Sequence, residues 1–292
     1  MTLLEAIQSS DTLLFCICFA LGLFVGSFLN VVVYRLPLMM ENGWRAECRE
    51  FLELEAEPTD QDKEPFNLVV PRSACPSCKK QISAWQNIPV ISWLLLRGKC
   101  GNCKNPISVQ YPLVELLTGV MSLAVAMKFG ATLETVFALI FTWSLISLAL
   151  IDFHTTLLPD SITLPLMWLG LVISLSPIFV DAHQAIIGAA AGYMILWIVF
   201  QAFKLLTGKE GMGFGDFKLL AALGAWLGWM KLPLIILLSS LTGAVIGIMM
   251  MVAFKHKRDK AIPFGPYLAI AGWIALIWGD QIVAIYTTSM GM

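Results

Sequence analysis

The chain has 292 residues, of which 58% are hydrophobic and only 13% charged, with a mean hydropathy of +0.78. Soluble chains run near 45–50% apolar and about 25% charged, so a large soluble enzyme, a disordered chain and a secreted disulfide scaffold are excluded. The net charge of -1, from 19 basic and 20 acidic residues, gives no electrostatic case for binding nucleic acid.

What remains is an all-α polytopic membrane protein with one polar insert. Backbone amides in lipid must bond within their own segment, so apolar runs of about 20 residues predict membrane helices. About eight transmembrane helices are expected, at 13–33, 113–127, 133–151, 162–180, 185–203, 217–230, 232–254 and 264–279. The first follows Glu5 and Asp11, without a basic leader or a small-residue cleavage site, which predicts a retained anchor (1–33) and not a removed signal. The sixth is short, and Gly211-Met-Gly213-Phe-Gly215-Asp216 before it is expected to continue it in non-helical form. Segment 34–112 is the insert, and 113–292 forms the main membrane domain.

The insert holds 10 of the 19 Lys/Arg and 9 of the 20 Asp/Glu. Nine acids fall between Glu41 and Glu64, and Trp44, Cys48, Phe51 and Leu52 recur at helical spacing, predicting a surface helix with a solvated acidic face. Further on stand Cys75-Pro-Ser-Cys78 and Cys100-Gly-Asn-Cys103, two Cys-x-x-Cys pairs separated by 21 residues. Two such knuckles place four thiolates at the corners of a tetrahedron, which suits Zn²⁺. With all four positions filled by protein, the metal would be structural and would not activate water. Cys16, Cys18 and Cys48 read as buried or solvated thiols. The insert is too small for an ordinary dinucleotide-binding domain and lacks its glycine motif.

Threading the spans alternately puts 17 of the 19 Lys/Arg on one side, with only Lys128 and Lys231 on the other. Short basic loops stay in the cytoplasm, so the insert, the 152–161 turn and the 204–218 loop are expected inside and both termini outside.

Ionisable groups at the rim of a span are functional candidates by default. Asp152, Asp160, Glu210 and Asp216 qualify on the expected cytoplasmic side. Asp152 closes the third span and Asp216 opens the sixth, so both are expected at similar depth. Two carboxylates at one site can share a proton, one activating a water and the other protonating a carbonyl oxygen. On the residues alone three readings stay open: this peptidase chemistry, a helix-capping or topological role for the aspartates, and carboxylate-dependent ion or proton transport. His154 beside Asp152 reads as a solvated histidine. His183 and His256 fall in loops.

Taken together, several motifs resemble the type IV prepilin peptidases, the bifunctional prepilin leader peptidase/N-methyltransferases. They are Gly26-Ser-Phe-Leu-Asn30-Val-Val-Val-Tyr-Arg35-Leu-Pro37, Asn87-Ile-Pro89 through Arg97-Gly98-Lys-Cys100, Tyr111-Pro112-Leu-Val-Glu115, Asp152 with Pro159-Asp160, Gly213-Phe-Gly215-Asp216-Phe-Lys218, and Pro263-Phe-Gly-Pro-Tyr267. The resemblance covers almost the whole chain. It implies an enzyme of the bacterial cell inner membrane that removes the basic leader from type IV prepilins or pseudopilins. It would then methylate the new N-terminal amine with S-adenosylmethionine. Asp152 and Asp216 match the catalytic pair, Cys75, Cys78, Cys100 and Cys103 the zinc cluster, and Gly98 a glycine linked to methyl transfer. Gln110 departs from the Arg expected before Tyr-Pro. A peptidase without methyl transfer is the nearest alternative.

Overall fold

The structure, a computed structural model, describes residues 10–54, 66–254 and 263–289. It divides into two compact units, Met1–Ala131 and Thr132–Met292. Among the described residues the regular secondary structure is helical, apart from two isolated β-bridges in the insert.

The first unit contains α1 (Asp11–Phe51), a 3-10 turn (Ala84–Asn87), α2 (Ile91–Leu95) and α3 (Gln110–Phe129). Ser10 caps α1, its hydroxyl accepting from the Leu13 N–H at 3.4 Å. No break follows the first span. The helix continues through Pro37 to Phe51, so the surface helix expected from Glu41 is the extension of the anchor itself. Trp44, Phe51 and Leu52 are exposed there, and residues 55–64 of the acidic run lie outside the described residues.

Small residues set how closely α1 and α3 pack. A Cβ on Gly22 would meet Gly119 and Ser122, and one on Gly26 would fall 2.8 Å from the Glu115 Cα. Glycines four apart present a flat stripe that lets membrane helices approach through their backbones. Buried Asn30 stitches the seam, its Nδ2 donating to the carbonyls of Gly26 and Tyr111, each at 3.2 Å. Arg35, also buried, donates to the Asn67 carbonyl at 2.8 Å and the Pro71 carbonyl at 2.6 Å, tying the start of the described insert to α1.

Among its described residues the second unit has six α-helices, α4 (Leu133–Thr155), α5 (Asp160–Ile173), α6 (Ala182–Thr207), α7 (Phe214–Leu227), α8 (Leu232–Phe254) and α9 (Gly265–Ser289), with a 3-10 turn (Trp229–Lys231) before α8. At its centre lies α7, where every residue from Asp216 to Leu227 except Lys218 is buried. A helix apolar on all sides belongs inside a bundle. Gly188 and Gly224 press backbone to backbone between α6 and α7, and Gly170 of α5 leaves room for the Trp226 indole. The indole Nε1 donates to the Leu166 carbonyl at 2.7 Å. At the far end of α7, Lys231 pairs with Asp280 of α9 at 2.9 Å.

Each of the eight expected spans contains a helix, but the fourth, expected to reach residue 180, is helical only to Ile173. Six are long and apolar enough to cross a membrane, and α5 and α7 have 14 residues each. The chain is thus a multi-pass membrane protein by length and composition of its helices.

Candidate active site and metal centre

Three helix ends of the second unit converge on two buried aspartates. Asp152 sits in the last turn of α4 and Asp216 in the first turn of α7, 5% and 7% exposed respectively. The Gly265 N–H, at the first residue of α9, donates to Asp152 Oδ2 at 2.9 Å. An unpaired N–H at a helix start is a natural anion partner, so α9 orients this carboxylate across 113 residues of sequence. Leu158, in the turn after α4, lies against both the Gly215 and the Gly265 positions, placing the Asp216-bearing start of α7 and the α9 start that bonds Asp152 against one side chain. Asp152 and Asp216 lie near enough for the charge of one to bear on the other. Asp216 Oδ1 is buried and has no hydrogen-bond partner among the described residues.

The aspartates are not helix N-caps. The cap positions belong to Pro159 and Gly213, which leaves Asp160 first and Asp216 third in their helices. Asp216 reaches back toward the Gly213 N–H, the carboxylate half of a capping box. Asp160 faces elsewhere: both its oxygens accept from Lys218 Nζ at 2.7 Å. Glu210 pairs with Lys204 at 2.7 Å, and that ammonium holds its carboxyl below the usual range. His154 turns its Nδ1 to the Leu150 carbonyl at 2.7 Å and is exposed, so it does not join the pair.

Of the three glycines before α7, Gly211 and Gly213 lie outside the helix, as expected, and Gly215 within it. None has a positive φ. Close approach is what constrains Gly215, where a Cβ would sit 2.7 Å from Leu158 Cβ. Gly265 has the same constraint against Asp152, at 2.6 Å from Oδ2. Its role was the one missed from sequence: the only local signal is a glycine before a proline at a helix start.

In the first unit the four insert cysteines come together, all Sγ atoms within 4.8 Å of one another. Cys75 and Cys103 Sγ stand 3.7 Å apart, close to the edge of about 3.8 Å implied by a tetrahedron with Zn–S near 2.3 Å. The two knuckles repeat each other. Cys75 N–H donates to the Lys80 carbonyl and Lys79 N–H to the Cys75 carbonyl, as Cys100 N–H does to Asn105 and Lys104 N–H to Cys100. Lys79 and Lys104 share a left-handed φ of 57° and 59°. Backbone N–H groups face the sulfurs, and those of Lys80, helped by the Asn102 side chain, pull the Cys78 thiol down to about 6. The N–H groups of Cys103 and Asn102 likewise lower Cys100. Four sulfurs at this spacing can hold a metal ion.

Gly98 lies two residues before Cys100 with φ +65°, a conformation side chains disfavour, and a Cβ there would fall 2.8 Å from the Trp93 ring. Its carbonyl accepts from the Ile107 N–H at 2.7 Å. The glycine thus folds the second knuckle back on α2. Gln110 opens α3, its N–H donating to Ser108 Oγ at 3.2 Å.

The Bacterial Peptidase A24 N-terminal domain family matches residues 20–129, and the Type IV leader peptidase family matches residues 139–248. Proteins named prepilin leader peptidase/N-methyltransferase are similar along nearly their whole length. One from Aeromonas hydrophila is 55% identical, over 98% of this chain and 98% of its own. One from Stutzerimonas stutzeri is 56% identical, over 95% and 96%. One from Pseudomonas aeruginosa is 54% identical, over 97% of both. No solved structure matches significantly. With the paired aspartates buried in one bundle and relatives of this identity end to end, the chain belongs to the type IV leader peptidase family.

Proposed function

We propose that the chain cleaves the leader from type IV prepilins or pseudopilins and methylates the amine so exposed. The observation that carries the proteolytic half is the buried pair, Asp152 oriented by Gly265 and Asp216 with an unpartnered oxygen. One carboxylate takes a proton from the attacking water while the other protonates the scissile carbonyl oxygen. The C–N bond then breaks as a proton passes to the leaving nitrogen, yielding a carboxylate and an amine. The pair acts as one unit, with base and acid roles belonging to the dyad. The site suits a precursor whose basic leader lies in the cytoplasm and whose apolar stretch enters the inner membrane, with the cysteine insert on that same cytoplasmic side.

The domain of 34–112 serves methyl transfer, for which S-adenosylmethionine supplies the methyl group when bound. Gly98 contributes by fixing the left-handed turn between α2 and the second knuckle. Cys75, Cys78, Cys100 and Cys103 hold Zn²⁺ as a structural ion, cross-linking two knuckles that also bond through Lys80 to Asn102 and Asn105 to Ser77.

A synthetic prepilin incubated with the purified protein and S-adenosylmethionine, followed by mass spectrometry, tests both halves. Loss of the leader followed by gain of one methyl on the mature fragment is expected. A precursor left uncut would sink the peptidase reading, and cutting without methyl gain would remove the second activity. Metal analysis of the same preparation should give one zinc per chain. Cys78→Ser combined with Cys103→Ser should lower it at least about 10-fold, since removing ligands dismantles a closed tetrahedral site. Unchanged zinc in that variant would reject the site.

A further inference from the structure

The outward face of α2 is apolar, the reverse of a solvated surface helix. Ile91, Leu94 and Leu95 share that face at 55%, 60% and 71% exposure, while Ser92 on the other side is buried. Trp85, in the preceding 3-10 turn, is 53% exposed. Contiguous exposed apolar surface of this kind marks an interaction site.

The helix is held rigidly in this orientation. Left-handed residues bracket it, Val90 at φ 59° before and Arg97 at φ 52° after. The strained Val90 is fixed by its N–H donating to buried Glu115 Oε2 at 2.7 Å. From the middle of the helix Trp93 Nε1 donates to the Ile107 carbonyl at 3.3 Å. Glu115 lies five residues into α3, a helix long and apolar enough to cross a membrane, about 7.5 Å from its start at 1.5 Å per residue. The apolar face is therefore tethered within the first two turns of a spanning helix, where bilayer meets water.

Charge identifies the occupant. Residues 66–109 carry Arg72, Lys79, Lys80, Arg97, Lys99 and Lys104 and not one Asp or Glu. Even with four thiolates on a divalent metal, about -2 in all, this segment stays positive, the insert's nine acids all lying before it between Glu41 and Glu64. Such a surface repels a basic peptide and attracts anionic headgroups, and an exposed tryptophan with flanking Lys/Arg suits the interfacial zone. We propose that the insert docks on an anionic lipid surface, α2 sinking its Ile91-Leu94-Leu95 face into the interface beneath a collar of lysines.

The full chain, with an environment-sensitive fluorescent amino acid in place of Leu95, is placed in nanodiscs of phosphatidylcholine alone or mixed with phosphatidylglycerol. Lipids brominated near the headgroup serve as quenchers. With the face about 5–10 Å into the headgroup–acyl boundary, emission falls roughly twofold in the mixed discs. The quenching recedes at about 1 M salt, where the Debye length is near 3 Å, and in K79Q/K99Q. The salt arm needs no lysine replacement and so does not depend on that variant folding. Emission indifferent to brominated lipid in both discs would overturn the proposal. Equal quenching in both discs with no salt effect would also overturn it, by removing anionic lipid as the partner. A blue shift that requires added prepilin would overturn it by assigning the face to substrate.

Discussion

Asp152→Asn and Asp216→Asn each lower the rate of leader removal by at least about 10³-fold, the middle of the range for a single acid–base group and about 4 kcal/mol of barrier. The amide cannot accept the water's proton or deliver one to the carbonyl, yet it keeps the carboxylate's shape. Asp152→Asn can retain the acceptor that faces the Gly265 N–H, and Asp216→Asn removes a buried ionisable group without opening a cavity. Both variants are therefore expected to insert and fold. A thermal midpoint within a few degrees of the parent reports this directly, since both aspartates lie within the one compact unit Thr132–Met292. Groups that act as one unit give non-additive losses, so the double variant should be no slower than the worse single one. Cleavage by either single variant within tenfold of the parent, measured by mass spectrometry at saturating precursor, would defeat the dyad.

The same arrangement separates what the sequence makes legible from what it hides. Spans are legible because lipid forces every backbone amide into helix, so long apolar runs have one outcome. The cysteine cluster is legible because the repeated Cys-x-x-Cys spacing fixes a local loop, and 75 to 80 folds as 100 to 105 does. The aspartates stand out because a carboxylate at the rim of a span is costly. By contrast, the extension of α1 beyond residue 33 is masked by its polar composition: Pro37 and the charges after it read as a boundary, yet the helix runs on to Phe51. Glu115 reads as part of a motif, but its partner, the strained Val90 N–H, is visible only when the chain folds back. Gly265 is hidden for the same reason. Nothing near it in sequence names Asp152 as the atom it must avoid.

Gly265→Ala lowers kcat for leader removal by about 10²-fold with KM little changed, the loss typical of a reacting group displaced by about 1 Å. The added Cβ would lie 2.6 Å from Asp152 Oδ2 and 3.1 Å from its Cγ, so the carboxylate must turn away. Leu158 Cδ1, at 3.2 Å, closes the alternative route in which α9 shifts instead. Moving the carboxylate also forfeits its hydrogen bond from the Gly265 N–H, which both aims the group and places it at the positive end of the α9 dipole. The backbone itself raises no objection: φ at this position is not in the left-handed region, and alanine is acceptable at a helix start. The fold should accordingly survive, with a thermal midpoint within a few degrees of the parent. That pairing of results distinguishes displacement of Asp152 from general damage to the bundle. A kcat within twofold of the parent would show that the carboxylate does not depend on the α9 start for its catalytic position. A large fall in the midpoint would instead mean that the glycine serves packing, with Asp152 following passively.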